Sequence, residues 1–62
     1  MEKYMTVDDA LVVIEDLSHS QGFYGRLLRD INNDYESYIS FSNWVNDNKF
    51  TDSLDLILAL EN

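Results

Sequence analysis

"SHSQGFYGRLLRD", residues 18–30, holds both glycines of a 62-residue chain that contains no proline. Whether a helix runs through this stretch or breaks in it decides the helix count. Upstream, Thr6 suits an N-cap, and Asp8 and Asp9 stand where the helix dipole favours negative charge. Ala10, Val13, Ile14 and Leu17 then mark one face at helical spacing. At ~100° per residue the same stripe passes through Gln21, Tyr24, Leu28 and Ile31, while Glu15, His19, Arg26 and Asp30 keep to the opposite side. This unbroken phase predicts one long helix over residues 7–32, kinked or closely packed at Gly22 and Gly25. The alternative ends the helix near Ser18 and restarts it with Ser20 as N-cap; it is favoured by the roughly 1 kcal/mol that each interior glycine costs relative to alanine. On the continuous reading the two glycines serve helix packing, their bare backbone admitting a close neighbour.

Downstream, "NND" at 32–34 is turn chemistry, with Asn33 or Asp34 suited to cap the next helix. That second helix is expected over 35–47, with Tyr38, Phe41 and Val45 inward and Asn48 as its stop. "FTDSLDLILALE" predicts a third over 53–61, capped by Thr51 or Asp52. Its expected inner face is Leu54, Ile57 and Leu58, with Leu56 and Leu60 spilling beyond. The fold class is therefore all-α: three helices in one small bundle spanning 1–62, with residues 1–5 a frayed tail.

Composition narrows the function classes. Twelve acids against four bases give a net charge of −8. Binding to nucleic-acid phosphates needs clustered Lys and Arg, and an anionic membrane surface would repel this chain. "MEKYMTVDDA" carries no apolar run, and "ALVVI" and "LILAL" are too short to span a bilayer. A cytoplasmic protein is expected, with no membrane association and no direct nucleic-acid contact. The absence of cysteine removes disulfides and thiolate metal sites. A domain this small commonly adds a second subunit instead.

No reaction chemistry is legible. Ser18 and Ser20 sit beside the only histidine, His19, but adjacent residues on a helix do not face each other. "DINND" imitates the first three ligand positions of a calcium loop. The sixth position is Tyr35 instead of glycine, and the twelfth is Phe41 instead of glutamate. No catalytic residue, metal ligand or cofactor is assigned, and an enzyme is not expected.

The acids and aromatics left over point to a protein contact surface. Asp8, Asp9, Asp34, Glu36, Asp52 and Asp55 lie at expected helix starts, where each gains roughly 0.3–1 kcal/mol. Glu15, Asp16, Asp30 and Asp47 have no such reason. In the second helix the apolar set runs from Trp44 around to Ile39, an arc of about 220°, whereas a one-sided core needs little more than ~100°. Phe23 points away from the stripe of the first helix. Exposed rings beside charge are typical of contact surfaces. The expected partner-binding residues are therefore Phe23, Trp44 and Tyr35 with Asp16, Asp30, Asp34 and Glu36, three of these acids falling within "DINNDYE". A homodimer or an obligate partner complex is expected from the surplus apolar arc.

Residues Ser20 to Leu27, "SQGFYGRL", resemble a segment that recurs in short acidic proteins encoded by phages and mobile elements of Gram-positive bacteria. The closing "DSLDLILALE" is similar to the same pattern. The resemblance implies a small accessory protein and carries no assigned activity. Small acidic proteins of such elements include inhibitors of host defence nucleases, of the antirestriction and anti-CRISPR kind. The expected function is thus inhibition of a host protein, a nucleic-acid-handling defence nuclease, by occupation of its basic surface. The alternative is a non-inhibitory structural or regulatory helical module acting through itself or a phage protein.

Overall fold

The first helix of the chain stops at Ser18, with His19 as its C-cap. The computed structural model, which describes residues 3–62, contains four helices: α1 (Val7–Ser18), α2 (Gly22–Asn33), α3 (Tyr35–Asn48) and α4 (Ser53–Glu61). The single helix expected over 7–32 is corrected to two, so the helix count rises from three to four.

Local chemistry at the break explains it. The Leu17 carbonyl accepts the N–H of both Ser20 (3.1 Å) and Gln21 (3.0 Å). Ser18 Oγ donates to the Glu15 carbonyl at 2.6 Å, and Ser20 Oγ lies 3.4 Å from that of Leu17. Such side-chain bonds offer the backbone an alternative to the helical ladder. Gln21 is extended (φ −134°, ψ 119°) and is the N-cap of α2, with no side-chain capping bond. The restart thus falls one residue beyond the Ser20 cap of the alternative reading. Packing agrees with the break: a straight helix over 7–32 would run about 39 Å and hold its two halves apart, whereas the broken chain measures 34 Å in its longest dimension. Broken at 19–21, α1 folds back on α2, its most extensive packing partner.

The stripe nevertheless identified the inner face. Ala10, Ile14, Tyr24 and Ile31 are all buried, joined in the core by Phe41, Val45, Phe50 and Leu56. Gly22 is the first residue of α2 and Gly25 lies in its first turn. Beyond its chain neighbours and its own helix backbone, a methyl group added at either would meet nothing within 4 Å, so no other described helix makes the close approach expected there.

The caps agree closely with the sequence. Thr6 Oγ1 accepts the Asp9 N–H at 3.1 Å while Asp9 Oδ2 accepts the Thr6 N–H, a reciprocal capping box. Asp34 caps α3 by accepting the Glu36 N–H, and Asp52 caps α4 by accepting the Asp55 N–H. α3 ends one residue later than expected, with Lys49 left-handed at φ 53°. Met5, placed in the expected frayed tail, donates its N–H to the Phe50 carbonyl at 2.6 Å; Met1 and Glu2 lie outside the described residues.

The inner face of α4 is also corrected. Leu56 is fully buried, whereas Leu54 and Leu58 are 61% and 53% exposed. Apolar residues surround this helix, so periodicity alone does not choose a side; docking on α1 selects the Leu56 side. No described helix is long and apolar enough to cross a membrane.

Candidate protein-binding groove

α2 and α3 meet at Asp34, a single extended residue (φ −131°, ψ 116°) that ends one helix and caps the next. Its N–H donates to the Asp30 carbonyl at 3.1 Å, closing α2. Its carboxylate accepts the Glu36 N–H at 3.2 Å and the Ser37 hydroxyl at 3.0 Å. That carboxylate is therefore held in place by two donors. The sharp junction leaves an open groove of about 570 Å³ between the helices.

The floor of the groove is apolar: Leu27 and Ile31 from α2, Phe41 and Trp44 from α3, and Leu60 from α4. Asp30, Asp34 and Glu36 border it with Ser37 and Ser40. Trp44 is half-buried, its ring 5.9 Å from Phe41 and 5.2 Å from Phe50 between centroids. The indole is thus both a groove wall and part of the core.

A smaller hollow lined by Phe23, Arg26, Leu27 and Asp30 shares two residues with the groove. Phe23 is 50% exposed and meets buried Tyr24 edge-on, with centroids 5.2 Å apart at 78°. This is the outward and inward ring pair expected of "GFYG".

Of the expected contact residues, the fold therefore gathers Trp44, Asp30, Asp34 and Glu36 around one groove and sets Phe23 next to it. Tyr35 is exposed beside Asp34 but does not line the groove. Asp16 is elsewhere, in a shallow hollow between α1 and α4 with Glu15 and His19. The sequence reading missed Leu27 and Leu60 as floor residues. The i, i+4 spacing of Leu27 and Ile31 on α2 carried a signal for the first; nothing in the sequence brings Leu60 to α2 and α3.

Among the described residues no group of three or more His, Cys, Asp or Glu side chains is arranged to hold a metal ion. No buried side-chain polar atom among them lacks a hydrogen-bond partner. No family model, no curated protein and no solved structure matches this chain.

Proposed function

We propose that this chain is a protein-binding module that docks a basic surface of another protein into the α2–α3 groove and thereby blocks it. The observation that carries the reading is the pairing, in one groove, of an aromatic and aliphatic floor with three bordering carboxylates. Acidic side chains around such a floor complement a surface that carries Lys and Arg among apolar residues. Proteins that handle nucleic acid display basic grooves of that kind. The resemblance of residues 20–27 to proteins of phages and mobile elements favours a host defence nuclease as the target.

Capture from host lysate, comparing the wild-type chain with the Asp30→Lys, Asp34→Lys double variant, tests this. The captured protein is then used for kinetics at several salt concentrations. The double variant is expected to slow association and to flatten its salt dependence, and to restore the nuclease activity that the wild-type chain suppresses. An unchanged on-rate together with unchanged inhibition would show that a basic groove is not what is occupied. Capture of a protein whose activity is unaffected would favour the non-inhibitory scaffold.

A further inference from the structure

The hollow beside Phe23 and the groove at Trp44 form one track. Phe23, Leu27 and Asp30 stand at i, i+4 and i+7 on α2, within about 60° of one another around the helix, and Leu27 and Asp30 line both openings. The track ends at Asp34, about 16 Å from Phe23 along α2, where Glu36 borders it from α3. Its chemistry changes along that length. Phe23 and Arg26 stand at one end, Leu27, Trp44 and Leu60 in the middle, and the carboxylates at the other. Those carboxylates differ in use. That of Asp34 already accepts the Glu36 N–H and the Ser37 hydroxyl, whereas those of Asp30 and Glu36 have no hydrogen-bond or ion-pair partner among the described residues.

Building on the docking proposed above, we infer that the element entering the track is one amphipathic helix of the partner, about 11 residues long, aliphatic over Leu27 and Trp44 and basic over Asp30 and Glu36. Two helices with an apolar floor between them offer a seat to a third, and helix-in-groove recognition reads such a partner through anchors at i, i+3, i+4 and i+7. The openings fit that spacing. About one turn along α2 separates the Phe23 hollow from the Trp44 groove, so residues i and i+4 of the docked helix enter one each. Charge names the occupant. The unengaged carboxylates call for Lys or Arg beyond the anchors, and Arg26 keeps basic residues from the Phe23 end. No helix of this chain has that pattern: α1, α3 and α4 contain no Lys or Arg, and Arg26 and Arg29 belong to α2, which forms the track. The occupant is therefore another protein. A basic stripe along a helix is what a nucleic-acid-handling protein presents to phosphates, so seating that helix here takes it out of use.

Docking of such a helix is readable without a label, because Trp44 is the chain's only tryptophan and stands half-buried on the groove wall. The test uses two tryptophan-free peptides of about 14 residues, alanine-rich, acetylated and amidated. One carries Leu at i and i+4 followed by Arg at i+7, i+8 and i+11; the other carries the same face in reverse order. A third replaces the leucines by alanine. The full chain is titrated with each at about 0.05 M and about 0.5 M salt, following Trp44 emission and the helicity of the peptide.

One of the two orders is expected to shift Trp44 emission saturably and to gain helix on binding, with a dissociation constant on the order of 10–100 μM that rises with salt. Asp30→Asn and Glu36→Gln are each expected to weaken it roughly threefold, and Phe23→Ala roughly tenfold. All three positions are exposed, so the fold should be kept. Asp16→Asn, in the hollow between α1 and α4, is expected to bind like the wild type. Equal binding by the alanine peptide overturns the proposal, since charge alone then suffices. So does equal weakening by Asp16→Asn and Asp30→Asn. Failure of both orders at millimolar concentration overturns the helical occupant. A captured partner that the Asp30, Asp34 double variant still slows then leaves the groove reading standing, and one indifferent to that variant removes both.

Discussion

The Tyr24 hydroxyl donates to Glu61 Oε2 at 3.0 Å, joining the first turn of α2 to the last residue of α4 across 37 positions of sequence. Tyr24 is buried, and its partner Glu61 is exposed at the end of α4. Burial first, then the hydrogen bond to Glu61 and the carboxylate's charge, raise its pKa above the ordinary 10.0. A proton held more tightly in the folded than in the unfolded chain stabilises the fold below the unfolded value and ceases to do so as pH climbs through the folded one. Tyr24→Phe is expected to cost about 1 kcal/mol near neutral pH. The gap between variant and wild type should then narrow above pH 10 in denaturant titrations. A gap that stays constant into the alkaline range would show that the phenol proton is not linked to folding.

Gly25 lies inside α2 with open space where a Cβ would stand. Alanine there removes backbone freedom from the unfolded chain and collides with nothing, so Gly25→Ala should stabilise by about 0.5–1 kcal/mol. For a domain of this size that is a rise in melting temperature of roughly 2–8 °C. Gly25→Leu should also raise it. A fall for either variant would reveal a neighbour at this position, in a dimer or in a second conformation.

What the sequence made legible divides along physical lines. Faces set by a narrow apolar stripe were readable, as Ala10, Ile14, Tyr24, Ile31, Phe41 and Val45 show, because period and burial agree. Helix starts at Thr6, Asp34 and Asp52 were readable because capping is local chemistry. The break at 19–21 was legible only as the alternative reading, because the apolar phase runs unbroken across it and the choice is made by the packing of α1 on α2. The side of α4 was not, because Leu54, Leu56, Leu58 and Leu60 leave no polar face to choose against. Of the candidate site, Asp30 and Trp44 stood out by their excess over structural need, and Asp34 and Glu36 by their density beside Asp30 in "DINNDYE", although both also suit a helix start. Asp16 was grouped with them on a continuous first helix that does not form.

Lys49 ends α3 in the left-handed region, φ 53° and ψ 54°, with its N–H bonded to the Val45 carbonyl at 3.2 Å. A residue with a Cβ pays roughly 1 kcal/mol for that conformation, and glycine does not. Lys49 Nζ also lies 5.9 Å from the centre of the Tyr4 ring, a contact worth about 0.5 kcal/mol at an exposed site. Lys49→Gly is therefore expected to stabilise by up to about 1 kcal/mol, and Lys49→Val to destabilise, since β-branching makes a positive φ harder to hold. Urea titrations of the two variants check the order; valine matching glycine would mean that this helix end relaxes to another conformation.

Phe23 and Trp44 are both candidate contact rings, and the structure separates their duties. Phe23 is half exposed and meets the core edge-on at Tyr24, so Phe23→Ala should change stability by less than about 1 kcal/mol. Trp44 lies between Phe41 and Phe50, and Trp44→Ala leaves a hole in that cluster costing about 3 kcal/mol. Loss of partner binding in the Trp44 variant is therefore ambiguous between unfolding and a lost contact. Loss in the Phe23 variant is not. With the captured partner immobilised, Phe23→Ala is expected to speed dissociation roughly tenfold with little change in association, as for an aromatic anchor at a contact edge. Its thermal unfolding should match that of the wild type. Equal dissociation rates for the variant and the wild type would remove Phe23 from the interface and confine the contact to the groove bordered by Asp30, Asp34 and Glu36.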